Sequence, residues 1–349
     1  MRKKGLDILR ATAIILVLFR HSDLSDSILR YFGWLGVDLF FALSGFLVSG
    51  LLFKEYKKHS SVNIKRFLIK RGFKIFPPFY FFLLATLLFH FFNGGTAYKN
   101  IQLFSELFYL QSYVSQIWWH TWTLAVEEHF YLTFSILMFI LSRRGFVLKT
   151  RFIISSLIFL LILSFLMRFY VSYPHRHEES FGFIQSHLRS DGIIMGVLLS
   201  YLYYFTNWTN ILAKNKWVTL LVSTVLIFPG FVFPGGGFFM NTVGLTTVNL
   251  GFTLLVFLSL DIEKYLGNDI LKYFKFPVAV LCFIGINSYS IYLWHLNSKD
   301  IVYSYFDYGE NMMTIIYITF SIVLGILMSY LIEKTFLKLR GSRVVKKLL

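Results

Sequence analysis

Two adjacent carboxylates inside an apolar run are the costliest feature of this sequence. WWHTWTLAVEEHFYL, residues 118–132, sets Glu127 and Glu128 beside His129 several residues into a hydrophobic stretch. On a helix such neighbours point about 100° apart, so one carboxylate can bind or polarise a substrate while the other orients a neighbouring helix. A second set lies near the start, in LDILRATAIILVLFRHS (residues 6–22), where Arg10 and His21 are eleven residues apart. That is about three helical turns and about 16 Å of rise, so both fall on one stripe. An imidazole at one end is suited to proton transfer and an arginine at the other to an anion. Asp7, three residues before Arg10, could instead neutralise it, and both readings stay open.

Four further groups share this character. Asp38 begins the otherwise apolar GVDLFFALSGFLVSG, whose Gly45 and Ser49 read as small residues for close helix packing. IKRGFKIFPPFYFF gathers Lys70, Arg71 and Lys74 ahead of Pro77 and Pro78. These are either topology residues or contacts for a phosphorylated donor, arginine being able to grip phosphate with two parallel hydrogen bonds. HLRSDGIIMGVLLS carries Arg189 and Asp191 ahead of Gly192 and Gly196, and GINSYSIYLWH aligns Ser288, Tyr292 and His295 on one helical face. Trp118, Trp119 and Trp122 suit an interfacial belt, with a substrate platform as the other reading. Histidines and carboxylates without a cysteine cluster, a Walker-type loop or HExxH spacing point to acid–base work, with no metal and no bound cofactor.

The elements that must hold these residues are membrane helices. Of 349 residues, 56% are hydrophobic, 20% aromatic and only 15% charged, with a mean hydropathy of +0.63. Such values lie outside the range of water-soluble domains, and apolar segments run from end to end without a long polar block. The expected fold is an all-α polytopic membrane protein, one integral-membrane domain over residues 1–349. About ten spans are read, near 6–22, 34–53, 73–92, 122–141, 152–170, 188–206, 217–234, 240–260, 277–297 and 312–333. The shorter segment 101–113 suits a re-entrant or interfacial helix. The opening segment mimics a signal peptide, but Asp7 and Arg10 interrupt it, so it is expected to be retained. The single cysteine, Cys282, excludes an internal disulfide.

Basic residues orient this map. Alternate loops together with both termini hold 26 of the 34 Lys and Arg residues, which places both termini in the cytoplasm. The formal charge of +16 is then a topology signal with some attraction to anionic lipid, and nucleic acid is not an expected partner. On this map His21, Asp38, Glu127, Glu128, Arg189, Asp191 and His295 all fall in the outer half and are expected to form one site.

In order along the chain, R-x10-H at Arg10 and His21, GVDLFFALSGFL at 36–47, KR-x-x-K-I-x-P at 70–77, WTLAVEEHFYL at 122–132, RSDGIIMG at 189–196 and INSYSIYLWH at 286–295 resemble the acyltransferase-3 family of integral-membrane O-acyltransferases. The resemblance implies a multi-pass protein of a bacterial cytoplasmic membrane. It implies transfer of an acyl group, most simply acetyl, from cytosolic acyl-CoA to a hydroxyl of a cell-surface glycan or glycolipid. The family's Arg and His fall on Arg10 and His21 and its paired glutamates on Glu127 and Glu128. Lys74 stands where Arg is frequent and His129 where Gln is frequent. No appended hydrolase-like domain, which some relatives carry, is expected after residue 340. In this reading His21, Glu127 and Glu128 are catalytic, and Arg10, Asp38, Arg71, Lys74, Trp122, Arg189, Asp191, Tyr292 and His295 bind substrate, with the Arg10–His21 stripe lining the route between donor and acceptor. A proton-coupled secondary transporter is the alternative. It would be supported by broken helices and an inverted repeat, neither of which the sequence suggests.

Overall fold

A computed structural model describes residues 3–24, 27–95, 98–177, 182–233, 235–262 and 274–342. Apolar runs longer than a turn can satisfy their backbone in lipid only as helix, and among the described residues helix is what they form, with no strand. In chain order the helices are α1 Lys4–His21, α2 Ile28–Phe32, α3 Leu35–His59, α4 Ile64–Phe92, α5 Asn100–Leu107, α6 Trp122–Arg143, α7 Thr150–Ser172, α8 Ser186–Arg189, α9 Asp191–Phe205, α10 Trp208–Lys214, α11 Lys216–Ile227, α12 Pro229–Val232, α13 Leu245–Ser259, α14 Lys275–Ile286, α15 Ser288–Tyr305, α16 Glu310–Met328 and α17 Lys334–Arg340.

Six stretches are long and apolar enough to cross a membrane: Leu35–His59, Ile64–Phe92, Trp119–Arg143, Thr150–His175, Met240–Ser259 and Glu310–Arg340. Counting each bent pair as one span raises the number to eight. Two of the ten sequence-read spans fall short of that measure for visible reasons. Helix α1 carries Lys4, Asp7, Arg10 and Arg20 within 18 residues, and α9 has only 15 residues. The segment read as re-entrant folds as the eight-residue α5, about 12 Å long and too short to cross. Glu106 ties it down, accepting from the Gln111 side chain (2.7 Å), the Ile117 N–H (2.9 Å) and the Thr121 hydroxyl (3.0 Å).

One expectation is overturned. The sequence suggests a continuous span over 277–297 and no broken helices, yet α14 and α15 meet at 76°, and α10 meets the Lys216–Val232 segment at 95°. At the α14–α15 break, Gly285 lies so close to α1 that a Cβ there would overlap the Asp7 carbonyl. Local hydropathy registers apolarity and not direction, so a bend between two apolar helices leaves no trace in it.

The most intimate pairing is α3 with α9. A Cβ on Gly45 would overlap the Ile193 carbonyl and one on Gly196 the Ala42 carbonyl, so both glycines permit backbone-to-backbone contact, as their spacing predicts. Around this pair Leu39, Ala42, Leu43, Val248 and Val256 bury one apolar cluster, while Ile14, Val17, Leu18, Phe79, Phe82, Ile291 and Leu293 bury a second between α1, α4 and α15.

Candidate active site

Helices α1, α3, α4, α6, α14 and α15 line an open cavity. Arg10, Arg71, Lys74, Ser44, Thr123, Glu127, Tyr131, Tyr289 and Tyr292 all face it. Arg71 organises the polar side: its Nε lies 3.4 Å from Glu128 Oε1, its Nη2 lies 4.0 Å from Glu127 Oε2, and its guanidinium carbon sits 3.4 Å above the Tyr131 ring. Glu127 also accepts from the Ser44 hydroxyl at 2.5 Å. A guanidinium stacked on a phenol and flanked by two carboxylates is held in one orientation. Arg10 bonds Asp7 at 3.0 Å, so that pairing forms while Arg10 still faces the cavity. In α4, Pro77 and Pro78 withdraw two N–H donors, and the Tyr289 hydroxyl donates to the Ile75 carbonyl (2.9 Å) one turn away.

Glu127 and Glu128, expected to share one site with the histidines, meet Arg71 of α4 instead. Helix α4 starts at Ile64, so Arg71 lies two turns inside it. Glu127 lies more than a turn into α6, and two long side chains close the remaining gap.

The histidines form a separate group. The His21 ring centroid is 5.0 Å from that of His295, which is 4.9 Å from that of His120. The Tyr292 hydroxyl links them to the cavity, lying 2.8 Å from Thr123 Oγ1 and donating to the His120 carbonyl at 3.0 Å. The expected open route along the Arg10–His21 stripe is closed, because Ile14, Val17 and Leu18 between them are buried in apolar packing. Sequence reasoning passed over His120. Its position seven residues before Glu127, two helical turns, is the signal that could have marked it.

Asp38, Arg189 and Asp191 form a third group. Arg189 Nη2 binds Asp38 Oδ1 at 2.9 Å, and Arg168 Nη1 binds Asp191 Oδ2 at 2.5 Å. Arg168, near the end of α7 and passed over in the sequence, has no exposed surface and also donates to Thr246 Oγ1 at 2.5 Å. Asp38 and Asp191 line neither this cavity nor the next, and each is held in an ion pair with a buried arginine. The seven outer-half residues thus separate into three clusters.

A second opening is lined by Arg20, Tyr31, Trp34, Trp122, Phe183 and Arg189 among others. The Arg189 guanidinium carbon lies 5.5 Å from the Trp122 ring. Val37 lines both cavities, and Trp122 and Thr123 face one each. Both cavities combine cations with aromatic rings; Lys74 and the carboxylate of Glu127 face the first, and two tryptophans face the second. Among the described residues no group of three His, Cys, Asp or Glu side chains is arranged to hold a metal ion.

A family model described as an acyltransferase domain, of the acyltransferase-3 type, matches residues 3–334. Among similar curated proteins, a Staphylococcus aureus (strain COL) chain named provisionally as an O-acetyltransferase is 30% identical over 92% of this chain and 54% of its own length. The O-acetyltransferase OatA of S. aureus (strain NCTC 8325) is 28% identical over 88% of this chain and 52% of its own. The peptidoglycan O-acetyltransferase OatA of Listeria monocytogenes is 26% identical over 83% and 48%. The chain spans about half the length of these relatives. No solved structure gives a significant match.

Proposed function

The chain belongs to the acyltransferase-3 family, and on that premise we propose that it moves an acetyl group from cytosolic acetyl-CoA to a sugar hydroxyl of a cell-surface glycan or glycolipid, acting as one multi-pass domain of a bacterial cell membrane. The observation that carries this reading is the pair of cavities that share Val37 as a wall, one with Arg10, Arg71 and Lys74 and the other with Trp34 and Trp122. Arg10, Arg71 and Lys74 offer a phosphorylated donor three cations, and Glu127 and Glu128 hold the Arg71 fork in place for it. Trp34 and Trp122 offer flat faces on which a sugar ring can stack, with Arg189 beside them. His21 lines neither cavity but follows Arg20, which lines the second, and serves as the general base that takes the hydroxyl proton while the oxygen attacks the thioester carbonyl. Side chains at Ile14, Val17 and Leu18 must rotate aside before the thioester reaches it.

The test uses the full chain in detergent micelles with radiolabelled acetyl-CoA and soluble peptidoglycan strands. Base-labile label in the glycan is the expected result, since esters hydrolyse under mild alkali. Label that stays in acetyl-CoA would overturn the donor assignment. A proton-coupled transporter is the second reading, favoured by the two bent helix pairs, and it predicts no covalent label in any acceptor.

The same reading sets both termini in the cytoplasm. Cysteine placed at Ser61 is then expected to be labelled by an impermeant reagent from the cytoplasmic side alone, and cysteine at Gly236 from outside alone. Labelling of both from one side would defeat that orientation.

A further inference from the structure

The three-histidine cluster contains two imidazoles whose protonation pattern the backbone dictates. A carbonyl oxygen can only accept, so the His295 contact with the Tyr292 carbonyl (2.6 Å) requires hydrogen on Nδ1, and the His120 contact with the Leu293 carbonyl (3.1 Å) requires hydrogen on Nε2. In each neutral ring the other nitrogen then carries the lone pair. Those atoms, His295 Nε2 and His120 Nδ1, are buried and accept no hydrogen bond, in side chains with 0% and 2% exposure. Two lone pairs on neighbouring rings, both without a donor, leave room for one proton. His21, the third ring, stands next to His295.

We propose that His120 and His295 are positioning residues that receive the proton His21 takes from the acceptor, and so keep His21 available as a base. This rests on the catalytic reading of His21. As the sugar oxygen bonds to the acyl carbon and the carbon–sulfur bond breaks, the hydroxyl proton moves to one His21 nitrogen, and the proton on the other passes to His295 Nε2, where His120 Nδ1 helps hold it. The thiolate leaves with its electron pair and is protonated by water in the cation-lined cavity. The proton held by the pair returns through His21 to water, which balances the turnover. The charged groups around His21 are Arg20 on its own helix, Arg30 on α2 and Lys299 on α15, the last paired with Asp23 at 2.5 Å.

The carbonyl contacts make the proposal testable. His120→Gln and His295→Asn each keep an amide N–H for the carbonyl that the imidazole serves, but supply no basic nitrogen. In the full chain in micelles both are expected to lower kcat about 10-fold or more with KM for acetyl-CoA unchanged. The double variant should be no worse than either single one, because the pair acts as a unit. Full kcat in the conservative variants would reduce both rings to structural supports. A second readout needs no turnover: the nitrogen-15 signal of the His21 imidazole should titrate with a changed midpoint in His295→Asn and in His120→Gln. An unchanged midpoint in both would overturn the proposal whatever the acyl donor. A changed midpoint alongside an active His21→Gln variant would uphold the coupling of the rings and defeat the catalytic reading of His21.

Discussion

His21→Gln is expected to lose acyl transfer by about 10²–10⁴-fold, the usual cost of removing a general base. Glutamine matches the reach of the imidazole and can hydrogen-bond, but it does not take a proton at neutral pH. The fold is expected to tolerate it. His21 occupies the last turn of α1, is only partly buried, and meets His295 through a ring contact. Membrane abundance and the melting midpoint in detergent are therefore expected to match those of the unsubstituted chain, with His21→Ala equally inactive. If the glutamine variant still transferred acetyl groups at matched abundance, His21 would be an interfacial anchor for α1 and the base would have to be sought elsewhere.

Arg168→Met is expected to produce the largest loss of stability, about 3–5 kcal/mol, with the chemistry untouched at its source. The guanidinium has no exposed surface, and its removal leaves the Asp191 carboxylate, 3% exposed, without its countercharge. Attraction between buried charges does little more than offset their desolvation, so the penalty belongs to the orphaned partner. Adding Asp191→Asn to Arg168→Met should for that reason recover most of the melting midpoint, even though it is a second substitution in the same contact. A double variant less stable than the single one would show that the two side chains do not share one buried ion pair. Arg189 and Asp38 pair independently at 2.9 Å and should hold the outer end of α9 in the double variant.

The charges that face a cavity could not be told apart along the sequence from those that do not. Asp38, Arg189 and Asp191 carry the same surprise as Glu127 and Glu128, since each is an ionisable group in an apolar run. What separates them is whether they face a cavity. Asp38 and Asp191 line neither of the two cavities, whereas Glu127 lines the first together with its partner Arg71. Arg168 supplies the partner of Asp191 from a position near the end of α7, 23 residues away in sequence, a pairing that no local pattern encodes.

By composition and order alone, the chain is an all-helical membrane protein, because continuous apolar runs of about 20 residues, without the alternation of barrel strands, satisfy their backbone in lipid as helices. The small residues likewise marked Gly45 and Gly196 as places of close helix packing, though not that they would meet each other. The family was legible too, in motifs that run in order from Arg10 to His295, within the residues 3–334 that the family model matches. The tertiary structure decided the rest: the α14–α15 bend, the union of Arg71 with the paired glutamates, and the gathering of His21, His120 and His295. Helical periodicity reports which face a residue occupies and not which helix that face meets, and each of these arrangements depends on the second fact.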